Sequence, residues 1–228
     1  MLLIAAALLA GSVNIAASTS KALTPIAAPI DSADLPRPYA ALPVPAALTD
    51  PRLDLRSGPV PVPIDLLMPT IGVNTSVLGV GMTANNVMDA PMGKADNPDW
   101  QQAFWYRGSA VPGTASSAVI AAHVSDPLGR PGAFAKLGEL KAGDPIVIHD
   151  TRSGLDVHFE VTDATSYPLA LTTDPGVLTK IYGAGPVAGR WAEPSADGGS
   201  YLTLVTCDGT FVNGTHDHRL VVHATRVL

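Results

Sequence analysis

A single cysteine in 228 residues rules out an intrachain disulfide framework, and with it the small secreted scaffolds that depend on one. It also rules out zinc sites built on paired cysteines. Charge is scarce. Asp, Glu, Lys and Arg make up 15% of the chain, and 14 Lys and Arg face 20 Asp and Glu. Without clusters of Lys and Arg there is nothing to neutralise a phosphate backbone, so nucleic acid is set aside as a partner. Low charge beside 46% hydrophobic residues excludes a charged disordered tail as the bulk of the chain. No repeat at a fixed period is visible.

Pro is abundant but uneven. Ten of the 21 prolines lie before residue 64, from Pro25 to Pro63. Pro fixes φ and removes a donor, so this stretch holds neither a continuous helix nor a central strand. With its Ala and scattered Asp it reads as an extended spacer over 19–60. Residues 1–18 are almost wholly apolar (MLLIAAALLAGSVNIAAS). They read as a membrane anchor, with a cleaved signal segment as the alternative. The run is slightly short for a span and lacks preceding Lys or Arg.

From residue 61 short β-rich runs alternate with turn clusters, and 61–228 reads as one domain. The expected strands are Val62–Leu67, Gly72–Val80, Ser117–His123, Pro145–His149, Val157–Ser166, Tyr201–Thr206 and Leu220–Val227. Two short helices are expected, Ala133–Leu140 and Asp174–Tyr182. The second opens on Asp-Pro, a cap followed by Pro in the first turn. Seven or more strands in this length make an all-β domain, either a closed barrel or a sandwich.

Three residues stand where strands meet loops. Cys207 ends Thr203-Leu-Val-Thr206, His123 ends Ala118-Val-Ile-Ala-Ala122, and Arg219 opens Leu220-Val-Val-His223-Ala224. A thiol nucleophile needs a group that makes or stabilises its thiolate, usually His. It also needs a donor for the oxyanion of the tetrahedral intermediate. Arg suits the second task because its guanidinium stays charged.

These runs resemble the sortases, cysteine transpeptidases of Gram-positive surfaces. Thr203 to Cys207 is similar to the family's TLxTC signature, and the order His, Cys, Arg is the same. Further likeness lies in Pro69-Thr-Ile-Gly-Val-Asn74, Trp105-Tyr106-Arg-Gly108 with Pro112-Gly113, and Gly132-Ala-Phe134 with Leu137, Leu140 and Gly143-Asp144. Among subtypes the actinobacterial class E/F is the one most resembled. Ala122 departs from the glycine common before the His in class F sequences. Pro91 to Gln102 is longer than the equivalent stretch and reads as an inert insertion, with a loop over the groove as the alternative.

The resemblance implies an eight-stranded β-barrel. It implies that Cys207 attacks the Thr–Gly bond of an LPxTG-like sorting signal and forms a thioester. His123 would be the acid and base, and Arg219 would hold the carbonyl. A cell-wall precursor or pilin amine would accept the acyl group, outside the cytoplasmic membrane. With no sorting signal at its own C-terminus, the chain is expected to be sorter and not cargo. No cofactor and no metal are implied. Candidate substrate contacts are Ala118, Ile120, Leu169, Leu171, Tyr182, Thr206 and His218.

Three other readings remain. A degenerate secreted binding module would keep the barrel without the chemistry. A thiol hydrolase would pass the acyl group to water. A metal-binding domain would join Cys207 to His216, His218 and His223, although Asn213-Gly214 reads as a turn beside them.

Overall fold

Strands that alternate inward and outward residues need a second surface to cover their apolar face, and here the sheet supplies it by closing on itself. The computed structural model describes residues 43–49, 58–83, 88–172, 174–182 and 194–228. The strands are β1 Val60–Met68, β2 Val73–Val80, β3 Ala103–Tyr106, β4 Ser117–Ala122, β5 Pro145–Asp150, β6 Asp156–Pro168, β7 Tyr201–Val212 and β8 Thr215–Arg226. They close in the order β1-β2-β3-β4-β7-β8-β6-β5. Two neighbouring pairs, β2 with β3 and β4 with β7, are parallel. The barrel is the eight-stranded one that the resemblance implies, and not a sandwich. The apolar segment 1–18 and most of the spacer lie outside the described residues.

Alternation is clearest in β5 and β6, where Ile146, Ile148, Val157, Phe159 and Val161 point into the core and their neighbours point out. From β1 the core takes Ile64, Leu66 and Met68, and from β7 Leu202 and Leu204. Leu48 joins the same core, and Arg226 of β8 donates to the carbonyl of Pro43 at 3.0 Å. Residues 43–49, assigned by composition to the spacer, therefore pack on the barrel.

The seven expected strands are all present. The eighth, β3, was not among them. All four of its residues are buried: Ala103 and Trp105 face the core, and Phe104 packs outside with Leu78 and Val80. A four-residue run covered on both faces shows no alternation to read. The second expected helix forms as α1, Pro175–Tyr182, and the carboxylate of Asp174 accepts from the N–H groups of Gly176 and Val177 at 2.8 and 3.1 Å. The first does not form. Within 133–140 only Leu137–Glu139 makes a short 3-10 turn. Phe134, Leu137 and Leu140 are buried at a spacing of three, the period of the 3-10 bonds that form there, and Gly138 weakens any α-helix.

Strands β7 and β8 run well beyond their expected bounds and form a long hairpin. Its tip is Asn213-Gly214, with φ of 51° and 85°, the two-residue turn whose positive φ values match strand twist. One extra residue sits on β7 between the pairs Asp208↔His218 and Phe211↔His216, a bulge that bends the hairpin just past Cys207.

Candidate active site

The site is assembled by two strand pairings. In the antiparallel pair β7–β8, Cys207 lies directly opposite Arg219. Residues opposite each other in such a pair put their side chains on the same face, with Cβ atoms roughly 5 Å apart. In the parallel pair β4–β7 the register runs from Ser117↔Tyr201 to Ala121↔Val205. Each partner is 84 positions further on, and His123 to Cys207 is the same separation. His123 stands just past the end of β4, two residues beyond the last pair Ala121↔Val205, at the same offset from Cys207. A side-chain bond holds this continuation: the Thr206 hydroxyl donates to the carbonyl of Ala122 at 2.8 Å.

Cys207 is a free thiol and partly exposed. Arg219 donates through Nη1 to the carbonyls of His216 and His218 at 3.2 and 2.8 Å. Both bonds come from one nitrogen of the fork, which ties the guanidinium to its own strand and leaves the other N–H groups for an anion. Beyond Cys207, Asp208 accepts a hydrogen bond from Ser166 at 2.5 Å. Asp217 accepts from the N–H of Thr210 at 2.8 Å and pairs with Nδ1 of His218 at 2.7 Å. The His218 bond is the main cause that holds the Asp217 carboxyl below its ordinary range.

His123 is enclosed. Its Nε2 lies 2.8 Å from the carbonyl oxygen of Pro91. The Trp100 ring sits against the imidazole at 4.2 Å between centroids and 47° between planes, and Phe104 meets it edge-on at 5.3 Å. Burial pushes the imidazole below its ordinary value, and the bond to Pro91 raises it only in part. A carbonyl can only accept, so Nε2 carries the hydrogen in this bond. The backbone after His123 is held as tightly. Its carbonyl accepts from the N–H of Phe134 at 3.1 Å, and Gly132 donates to the carbonyl of Val124 at 2.9 Å. A Cβ at Gly132 would stand 2.3 Å from the His123 oxygen, which leaves room only for glycine.

Pro91 to Gln102 is therefore not an inert insertion. It supplies Pro91 and Trp100 to His123 and is bonded on two sides. Gln101 donates to the carbonyl of Pro131 at 2.8 Å and accepts at its own carbonyl from Thr75 at 2.7 Å. Arg130, paired with Asp126, donates to the carbonyl of Ala95. The WQ pair at its end carried no signal beyond an aromatic before a short apolar run, and sequence reasoning missed Trp100.

The expected substrate contacts separate. Ala118 and Ile120 are fully buried in the core and face no groove, because that alternating face of β4 points into the barrel. Thr206 is buried and spends its hydroxyl on Ala122. Leu171 is exposed and Leu169 half-buried, in the short turn that ends β6 and leads to α1. His218 is half-buried beside Arg219, opposite Asp208. The side chain of Tyr182 lies outside what the structure describes. His216 is opposite Phe211 and contacts its ring edge-on at 5.2 Å. His223 lies opposite Thr203, four positions along β8 from the site. Among the described residues no group of three or more His, Cys, Asp and Glu could hold a metal.

A closed eight-stranded barrel with a thiol and a guanidinium facing each other within β7 and β8, not at the strand ends that the sequence suggests, and an imidazole just past β4 defines the class. The sortase domain matches residues 66–227, and the chain belongs to the sortase family. The match is to the family as a whole, and the class E/F subtype is not distinguished by it. Sortase C-1 from Actinomyces oris is similar in structure, with 22% identity, coverage of 74% of this chain and 76% of that one, and a TM-score of 0.48. A lid mutant of sortase A from Corynebacterium diphtheriae has 25% identity, coverage of 75% and 73%, and a TM-score of 0.49. Sortase C2 of Group B Streptococcus pilus island 1 has 20% identity, coverage of 72% and 73%, and a TM-score of 0.46. No curated protein matches the sequence. Among the described residues no helix is long and apolar enough to cross a membrane.

Proposed function

We propose that this sortase-family chain is a cysteine transpeptidase acting through Cys207, His123 and Arg219 on an LPxTG-like sorting signal. The observation that supports the reading is the register: Cys207 is opposite Arg219 in β7–β8, and His123 follows the last β4–β7 pair, Ala121↔Val205, at the same 84-residue offset from Cys207.

The Cys207 thiol gives its proton to His123 and its sulfur attacks the carbonyl carbon of the Thr–Gly bond. Negative charge grows on the carbonyl oxygen. The Arg219 guanidinium, held by its two strand carbonyls, meets that charge already oriented. As the C–N bond breaks, the imidazolium returns the proton to the departing glycine amine. The thioester that remains is resolved by an incoming amine, which loses a proton to His123. The acceptor is a cell-wall precursor or pilin amine. The N-terminal segment anchors the domain on the outer side of the cytoplasmic membrane.

Burial holds the His123 imidazole below its ordinary value, so the protonated ring that returns the proton to the leaving amine is disfavoured, and turnover is slow.

The test is mass spectrometry of products from the full chain incubated with an LPxTG-type peptide and a glycine-based amine, with Cys207→Ala as control. A Thr–amine ligation product from the wild type alone is expected. Hydrolysis alone would keep the nucleophile and leave the acceptor amine unidentified. No cleavage across a panel of varied signals would return it to the binding module.

A further inference from the structure

His123 is oriented by a segment far from it in sequence. Its Nε2–H is committed to the Pro91 carbonyl at 2.8 Å. Trp100 covers one side of the ring and Phe104 borders it. Trp100 is itself fixed. It is nearly fully buried, its indole N–H donates to the carbonyl of Lys94 at 2.9 Å, and it sits in the short turn Pro98–Gln101 capped by Asn97. The segment closes on itself by that indole bond and closes on the loop after β4 by Gln101 and Arg130. One loop and strand β3 thus hold the imidazole, and the loop after β4 holds that loop in turn.

A base held by a third group is the arrangement nucleophilic catalysis requires, because an imidazole that can rotate or exchange tautomers presents the wrong nitrogen part of the time. The third group is ordinarily a carboxylate or an amide side chain. Here a backbone carbonyl does it.

We propose that the Pro91 carbonyl and the Trp100 indole are positioning groups for His123, fixing the Nε2–H tautomer so that Nδ1 is the nitrogen that moves protons. This rests on the reading of His123 as the acid and base. In the acylation step the S–H proton of Cys207 passes to Nδ1 and the S–C bond forms. The same proton then passes from Nδ1 to the amine nitrogen as the C–N bond breaks. Nε2 keeps its hydrogen, and its bond to Pro91 strengthens while the ring is cationic. The face of Trp100 stabilises that cation as well.

The tautomer is read directly from ¹⁵N-labelled histidine by NMR, on the full chain above the pH at which His123 protonates. His123→Gln identifies its signals. The expected spectrum has a protonated Nε2 and an unprotonated Nδ1 in one dominant form. A dominant Nδ1–H form, or an even mixture, overturns the proposal, and neither outcome depends on activity. Trp100→Phe and Trp100→Ala are then compared. Phe keeps a ring over the imidazole, and kcat for peptide cleavage should stay within about threefold. Ala should mix the tautomers and lower kcat about tenfold or more with KM nearly unchanged. Mixed tautomers with unchanged kcat overturn the positioning role. If Ala does not fold, Phe and the wild-type spectrum still decide. The two readings fail separately. Full cleavage by His123→Gln removes the acid–base role, whereas a wrong tautomer in an active, His123-dependent enzyme removes only the present proposal.

Discussion

The hydroxyl of Thr206 and the carbonyl of Ala122 are joined at 2.8 Å, one residue short of the thiol on one strand and one residue short of the imidazole on the other. Backbone pairing between β4 and β7 ends at Ala121↔Val205. This bond extends it to the site.

Thr206→Val keeps the shape and removes the donor. It should cost about 1 kcal/mol of stability and lower the rate about tenfold by loosening His123 relative to Cys207. Thr206→Ser restores the bond and should recover most of the rate. Urea unfolding and peptide-cleavage kinetics check both. A Val variant as fast as wild type would show that the strand ends need no such tie.

In the proposed mechanism Arg219→Ala removes the donor for the developing oxyanion. Cleavage should fall by about 10² to 10³ with little change in KM. Arg219→Lys should rescue poorly, because an ammonium replaces the planar fork that two strand carbonyls hold. The measurement is kcat and KM on one peptide for the three proteins. Full rescue by Lys would mean that charge alone is sufficient.

Gly132 faces the carbonyl of His123, and a Cβ there would stand 2.3 Å from it. Backbone oxygen cannot swing aside as a side chain would. Gly132→Ala should destabilise the fold by roughly 1–3 kcal/mol and lower kcat by displacing the loop that follows His123. Thermal unfolding and cleavage assays read the two effects. An Ala variant of unchanged Tm and rate would contradict the close approach.

Stability should fall as the solution is acidified through the imidazole range. Burial is the main cause that lowers both His123 and His223. Around His123 stand Pro91, Trp100 and Phe104. Around His223 stand Thr203 on β7, Asp163 on β6, which raises its value, and Lys180 on α1, which lowers it. With folded values depressed, the unfolded chain takes up protons first as pH drops. The stabilisation present above the ordinary imidazole value is therefore lost between that value and the lower folded one. Urea unfolding at stepped pH should show this fall, and His223→Gln should make it shallower. Stability that rose on acidification across that window would reverse the sign and refute the burial argument.

The amino-acid sequence by itself determined the barrel strands that alternate and singled out the candidate site residues. Val157, Phe159 and Val161 point one way because every second residue in the first half of β6 is apolar. Cys207, His123 and Arg219 were legible because each stands where an apolar run stops. Asp174 was legible as a cap because its carboxylate has only local N–H groups to satisfy. Tertiary structure decided the rest. β3 has no pattern of its own and is a strand because β2 and β4 flank it. Ala118 and Ile120 differ in no local way from groove residues, and only closure of the barrel buries them. The 84-residue offset becomes a site only when β4 and β7 pair in parallel. Pro91 and Trp100 reach His123 across more than twenty residues of chain, a contact made by backbone path and packing, which no local propensity encodes.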